Sequence, residues 1–402
     1  MSKVYIVAAK RTAIGSFLGS LSTVSPSELG ATVVRNILEE TKIDPINIDE
    51  VISGNVLPAG QGQGVGRQVA IKAGIPFSVP GYAVSMVCGS GMKSVMDAYL
   101  KIKSGWSNLI IAGGTESMSQ APHLLPSKIR SGAKMGNIQA VDHMINDALI
   151  DAYDAIHMGI TAENIFDKHS ITREAQDQFA INSQLKAIKS SDDGKFKDEI
   201  VPVEVKTRRE TLTVDTDEYP NRRTTFEKLS TLRAAFKKGG SVTAGNSSGI
   251  NDGAAYLMLA SEEAVKNYGL TPLVEIVGVD QAGIDPTVMG LAPVDAVKNV
   301  LARTNTNFND IELIELNEAF SAQSIGVITE LASDLHVTYD SINDRTNVNG
   351  GAIALGHPVG CSGARIIVTL IHELKKRKNN LGLASLCIGG GMGTAIIVKN
   401  VA

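Results

Sequence analysis

Three cysteines and one glycine-flanked histidine are the side chains of this 402-residue sequence best suited to nucleophilic and proton-transfer chemistry. Residues 81–87 read as a strand, and Met92, Val95, Met96, Tyr99 and Ile102 follow at helical spacing until Gly105. Cys88 therefore stands at a strand-to-helix turn, where glycines at 89 and 91 let the backbone turn tightly and a ligand approach. A thiol at a helix start feels the positive end of the helix dipole, which favours the nucleophilic thiolate. The plainer reading is a small buried hydrophobe, the commonest state of a free cysteine. Residues 349–363 set glycines around His357, held before Pro358 in a turn leading to a helix, a candidate general base. Cys387-Ile388-Gly389-Gly390-Gly391 puts another thiol at a strand end beside bare backbone N–H groups, which can form an oxyanion hole. Cys387 too has core packing as its alternative. No G-x-G-x-x-G and no G-x-x-x-x-G-K-[ST] occurs, so dinucleotide-cradle and P-loop readings fail.

Positioning these groups requires an α/β framework. Short apolar runs read as strands at residues 4–8, 51–53, 84–87, 109–112, 274–279, 313–316, 384–388 and 394–398, alternating with helical patterns. The halves resemble each other. Glu50-Val51-Ile52-Ser53-Gly54-Asn55 parallels Glu312-Leu313-Ile314-Glu315-Leu316-Asn317, and Gly89-Ser90-Gly91 parallels Cys361-Ser362-Gly363. Ala112-Gly113-Gly114 is set beside Ile388-Gly389-Gly390 as a third landmark, each ending a strand. Between the halves, residues 121–249 turn more polar and lose strand patterns, which reads as an insertion. Within it residues 171–190 read as an amphipathic helix with Thr172 as N-cap.

Composition narrows the classes. A net charge of −4 with 43% hydrophobic and 20% charged residues does not suit a nucleic-acid binder. The basic run Lys375–Lys378 reads as a solvated helix C-terminus. Three cysteines without a C-x-x-C pair make no disulfide framework or structural zinc site. No apolar run reaches the roughly 18 residues of a membrane span. With no leader pattern at the N-terminus, the expected compartment is the cytoplasm.

Taken together, these segments resemble the thiolase family over essentially the whole chain. The matching stretches are Val87-Cys88-Gly89-Ser90-Gly91-Met92-Lys93, His157-Met158-Gly159-Ile160-Thr161-Ala162-Glu163, Thr243-Ala244-Gly245-Asn246, Asn317-Glu318-Ala319-Phe320, the His357 loop and the Cys387 loop. The resemblance implies an α/β fold of two duplicated mixed-sheet halves in five layers (αβαβα). Residues 1–120 with 250–270 would form the N-terminal half, 271–402 the C-terminal half, and 121–249 a loop domain binding coenzyme A. By the same resemblance Cys88 carries the acyl group, His357 takes its proton, and Cys387 moves the proton on the α-carbon of the second thioester. Asn317 holds a water for the enolate, and the amides of Cys88 and Gly389 receive the tetrahedral oxyanion. The implied coenzyme A contacts are Leu149, His157, Met158, Phe236, Ala244, Ser248, Met289, Ala319 and Phe320, with Arg222 or Arg223 toward the nucleotide.

The resemblance further implies coenzyme A thioesters as substrates, no resident cofactor, no metal, and a homotetramer. His157-Met158-Gly159 points to the short-chain branch, which joins two acetyl-CoA into acetoacetyl-CoA plus coenzyme A through a ping-pong cycle. Three departures from the family pattern are Gly64-Val65-Gly66, Ala292 and Ala234, the last two expected beside the pocket. A broader-chain 3-ketoacyl-CoA thiolase is the first alternative. A carrier-protein ketosynthase or a hydroxymethylglutaryl-type condensing enzyme fits less well, given Cys387 and Asn317–Phe320. A catalytically silent acyl-CoA-binding relative and a metal site on His357, Cys361 and Cys387 complete the alternatives.

Overall fold

Strand after strand in this chain is apolar on both faces, the pattern of a sheet covered on both sides by helices. The computed structural model describes residues 3–401. Its main strands are β1 (Val4–Thr12), β2 (Glu50–Gly54), β3 (Gly81–Val84), β4 (Leu109–Ser117), β5 (Asn251–Ser261), β6 (Val274–Gly283), β7 (Leu313–Leu316), β8 (Leu381–Ile388) and β9 (Met392–Asn400). The main helices are α1 (Pro26–Thr41), α2 (Val65–Lys72), α3 (Ser90–Lys103), α4 (Met158–His169), α5 (Arg173–Asp192), α6 (Ala292–Thr304), α7 (Ser321–Asp334) and α8 (Val359–Arg377). The strands run in the order β7-β8-β9-β6-β1-β5-β4-β2-β3.

The duplication is visible in the topology. In the N-terminal half β2 lies parallel to β4, β4 antiparallel to β5, and β5 antiparallel to β1. In the C-terminal half β7 lies parallel to β8, β8 antiparallel to β9, and β9 antiparallel to β6. A short antiparallel contact, Tyr5 with Glu275 and Ile6 with Val274, joins the half-sheets. Alternation along the strands assigns the layers. Val51 and Ile111 face α1 and α2 in one core, while Ile52 and Ile110 face a central core. That central core also takes Met92 and Val95 of α3, Ile367 and Leu370 of α8, and Leu386 and Ile396 of the second half. Leu383 and Ile397 face α6 and α7. The result is five layers, with α3 and α8 paired in the middle.

That pairing explains several glycines. A Cβ on Gly91 would lie 2.9 Å from the Ala364 nitrogen, and one on Gly363 would collide with the Met92 nitrogen. The starts of α3 and α8 therefore cross at backbone contact. The third sequence landmark does not survive: β4 continues to Ser117, so Gly113 and Gly114 are mid-strand. If Val51 matches Leu313, their partners Ile111 and Gly382 match. Gly113 then corresponds to Ala384, not to Gly389.

The insertion is not isolated from the sheet, because Ile200 and Val201 add a short parallel segment beside β1. Helix α5 forms as expected, with the Thr172 hydroxyl accepting from the Ala175 N–H. Its inward face is polar, however: Gln176, Asp177, Ser183 and Gln184 are buried. No helix among the described residues is long and apolar enough to cross a membrane.

Candidate active site

The strand before Cys88 ends at Val84, three residues earlier than the apolar run suggests. Val87 has φ +44°, a conformation that a β-branched residue rarely adopts. The turn strain therefore sits on Val87 and not on the flanking glycines. Gly89 has an ordinary φ of −77°, and a Cβ there would collide with Ile388. Packing between the halves, not ligand approach, demands these glycines.

Cys88 is half-buried at the start of α3. The backbone N–H groups of Gly389 and of Cys88 itself point at its sulfur. Burial nevertheless outweighs them and pushes the thiol up to about 11, so the resting group is the neutral thiol. The helix start alone does not produce a thiolate. A base is required.

His357 is suited to be that base. The Asn251 carboxamide oxygen accepts from the His357 backbone N–H at 2.9 Å, and Gly356, at φ +101°, leaves no room there for a side chain. The Ser362 hydroxyl donates to the Pro358 carbonyl at 2.9 Å and lies 2.6 Å from His357 Nδ1. Because the hydroxyl proton is committed to Pro358, Nδ1 carries the imidazole hydrogen and donates it to Ser362. The Nε2 lone pair is then free, and Nε2 is buried with no hydrogen-bond partner among the described residues. Burial and the nearby Arg365 cation hold the imidazole down at about 4, hence neutral.

Cys387 ends β8, as expected, and is fully buried among Met158, Met289, Ala319 and Phe320. Burial and the neighbouring Cys88 hold its thiol far above the usual range. The Asn317 amide is also buried, and neither its oxygen nor its nitrogen meets a hydrogen-bond partner among the described residues. Cys361 packs in the central core, pushed up to about 12 by burial. Among the described residues no cluster suits a metal ion.

Cys88, His357 and Cys387 line one cavity of about 480 Å³, within the range of small-molecule sites. Leu149, His157, Met158, Phe236, Ala244, Ser248, Met289, Ala319 and Phe320 line it as well. His157 stacks on Phe236 at 4.6 Å, and Phe236 meets Phe320 edge-on at 6.2 Å. The His157 Nδ1 accepts from the Gly159 N–H and so caps α4. Arg222 is not brought to the cavity: it is exposed, its guanidinium forked onto Asp192 at the end of α5. Neither Ala292 nor Ala234 lines the cavity. Gly64 serves as the α2 N-cap at φ +54°, and Gly66 packs against the Tyr82 carbonyl.

Sequence reasoning missed Phe17, Met118, Tyr219 and Ile250 among the residues that also line the walls, since nothing local marks them. It also missed the braces. Glu318 accepts from Ser183, Asn347 and the Ile353 N–H, tying α5 to the His357 loop. Glu163 accepts from the Ser241 and Val242 N–H groups, and Asn246 holds Asp177 of α5. Their presence inside the matched motifs was the available signal.

Comparison with known proteins agrees with this geometry. The family described as Thiolase, N-terminal domain matches residues 4–263, and Thiolase, C-terminal domain matches residues 270–400. The chain is 50% identical over 398 residues to an acetyl-CoA acetyltransferase of Chromobacterium violaceum, covering 99% of each chain. It is similar to the crystal structure of the Bacillus anthracis acetyl-CoA acetyltransferase, with a TM-score of 0.95 and 42% identity over 100% of this chain and 99% of that one. It is also similar to human mitochondrial 3-ketoacyl-CoA thiolase solved in complex with CoA, with a TM-score of 0.93 and 39% identity over 100% and 98% of the two chains. With both halves matched in sequence and superposed in fold, the chain belongs to the thiolase family.

Proposed function

We propose that this chain is an acetyl-CoA C-acetyltransferase, interconverting two acetyl-CoA with acetoacetyl-CoA plus coenzyme A through an acetyl-Cys88 intermediate. The observation that carries this reading is the opening of two thiols and one neutral, tautomer-fixed imidazole into a single cavity. A simple acyl hydrolase has no use for the second thiol.

In the thiolysis direction His357 Nε2 takes the Cys88 proton, and the thiolate attacks the ketone carbon of acetoacetyl-CoA. The amides of Cys88 and Gly389 receive the resulting oxyanion. Collapse breaks the carbon–carbon bond and releases the enolate of acetyl-CoA, whose oxygen meets the His357 imidazolium and a water held by Asn317. Cys387, neutral at rest because of its burial, protonates the enolate carbon. Coenzyme A then gives its thiol proton to the Cys387 thiolate and attacks acetyl-Cys88. The departing Cys88 thiolate recovers its proton from His357, and every group returns to its starting state. Condensation is the reverse.

The short-chain preference rests on the bulk of His157, Met158, Phe236, Met289 and Phe320 around the thiols. The pantetheine arm runs along Leu149, Ala244, Ser248 and Ala319. Arg222 meets the nucleotide end only by exchanging Asp192 for a phosphate. No resident cofactor takes part. Cytoplasmic residence and a homotetramer belong to the same proposal. Exposed Leu125, Ile129, Met135 and Ile138 in the insertion support the tetramer contact, and sedimentation analysis tests it.

Thiolysis of 3-ketoacyl-CoA substrates of increasing length tests the reading. We expect kcat/KM to be highest at four carbons; a plateau or rise beyond four favours the broader-chain thiolase instead. Cys88→Ala should trap no radiolabel from acetyl-CoA, and full labelling of that variant would sink the nucleophile assignment.

A further inference from the structure

The duplicated fold gives the active site a twin. With Glu50–Asn55 matched to Glu312–Asn317, Asn55 is the counterpart of Asn317. The sheet register extends the match: Val51 pairs Ile111 and Leu313 pairs Gly382, so Glu116 (116 − 111 = 5) corresponds to Cys387 (387 − 382 = 5). Matching Gly89-Ser90-Gly91 to Cys361-Ser362-Gly363 makes Gly360 the counterpart of Cys88. The contacts cross between halves in both copies. Cys387 of the second half lies beside Cys88 of the first, and Glu116 of the first half accepts from the Gly360 N–H of the second.

Neither counterpart position, Gly360 or Glu116, holds a thiol. The twin is filled by the fully buried Glu116 carboxylate, which accepts from Asn55 Nδ2 at 2.8 Å, Val56 N at 2.9 Å, Leu57 N at 3.2 Å and Gly360 N at 3.0 Å. A carboxylate is kept in such a place only where donors replace its lost hydration. Three of these donors belong to the loop after β2, and the fourth opens α8 three residues beyond His357. Glu116 is not among the residues that line the cavity, and its charge is only a minor neighbour of Cys88, raising that thiol slightly beside the larger effect of burial.

We propose that Glu116 is a positioning residue for the acyl-transfer reaction, a strut in the pseudo-symmetric counterpart of the Cys387 site that holds His357 against Cys88. Where the second half kept a proton-transfer thiol, the first half carries an anchor. The α8 start has no side-chain cap of its own, and Pro358 at its N-cap position supplies no hydroxyl or carboxylate to do the job. Glu116 takes over that task from the other half and so couples the placement of base and nucleophile.

This inference rests on the proposed thiolase chemistry, and wild-type thiolysis of acetoacetyl-CoA, measured alongside, separates the two: an inactive wild type fails the chemistry, not the strut. Glu116→Gln keeps the shape but turns donors toward N–H groups that need an acceptor. We expect kcat to fall about 10- to 100-fold, the cost of displacing a catalytic group by about 1 Å. KM for acetoacetyl-CoA and coenzyme A should stay within about twofold, since no wall of the cavity is touched. Acetylation of Cys88 by acetyl-CoA, which draws on His357 as base, should slow in step. Glu116→Asp, which retains the carboxyl group but reaches fewer donors, should recover part of the loss. A folded Glu116→Gln enzyme with wild-type kcat overturns the proposal, as does a loss confined to KM. If that variant does not fold, Asn55→Ser removes one of the four donors and should lower kcat several-fold at constant KM; unchanged kcat there overturns it equally.

Discussion

Removing the Ser362 hydroxyl should disable the base while leaving the nucleophile in place. In Ser362→Ala the buried His357 Nδ1–H loses an acceptor at 2.6 Å. An unsatisfied buried donor costs about 1–3 kcal/mol. The imidazole escapes that cost by moving its hydrogen to Nε2 or by tilting, and both remove the lone pair that faces the cavity. At about 1.4 kcal/mol per factor of ten, Cys88 acetylation should slow by roughly 5- to 150-fold. Stopped-flow mixing with acetyl-CoA, reading the first equivalent of coenzyme A released, measures that step apart from condensation. Ser362→Thr, which keeps the hydroxyl, should restore most of the rate. An acetylation rate for Ser362→Ala within twofold of wild type would refute the tautomer argument.

The second thiol should separate the half-reactions: Cys387→Ala is expected to form acetyl-enzyme normally while condensation falls at least a thousandfold, on the order of losing a positioned acid–base group; condensation at wild-type rate removes its assigned role. The ionisation state of the nucleophile is open to direct test. With Cys88 raised to about 11 and His357 lowered to about 4, both are neutral between roughly pH 5 and 10. A raised thiol keeps its proton to higher pH and a lowered imidazole stays unprotonated to lower pH. Iodoacetamide labelling of Cys88 should therefore keep rising about tenfold per pH unit through pH 9. A plateau below pH 8 would instead reveal a thiolate–imidazolium pair. At the helix crossing, Gly363→Ala drives a methyl into the Met92 backbone and should cost about 1–3 kcal/mol, read as a lower urea midpoint; an unshifted midpoint contradicts the close-packed crossing.

Much of the fold was legible because its signals are local. Apolar runs marked β7 to the residue, and Thr172 marked the start of α5. The glycine-rich segments around Cys88, His357 and Cys387 were conspicuous because backbone-close packing and sharp turns restrict residue choice at each position. The polar face of α5 misled periodicity: Ser183 and Asp177 are buried against Glu318 and Asn246, partners more than 60 residues away. The misplaced third landmark has a similar cause, since Gly113 and Gly389 both look like strand ends until cross-strand pairing sets the register.

By itself, then, the sequence determined which residues could react and which elements carry them, because residue type and short-range spacing decide both. Only the tertiary structure decided their state. Cys88 lies at a helix start, which favours a thiolate, but burial between the halves makes it a neutral thiol, which on the proposed mechanism calls for a base. Whether His357 offers a lone pair or a hydrogen depends on Ser362, five residues on and one helical turn into α8. That Glu116 occupies the twin of Cys387 depends on a strand register that no local pattern encodes. Ionisation and tautomer are set by what surrounds a group in space, and those neighbours come from both halves of the chain.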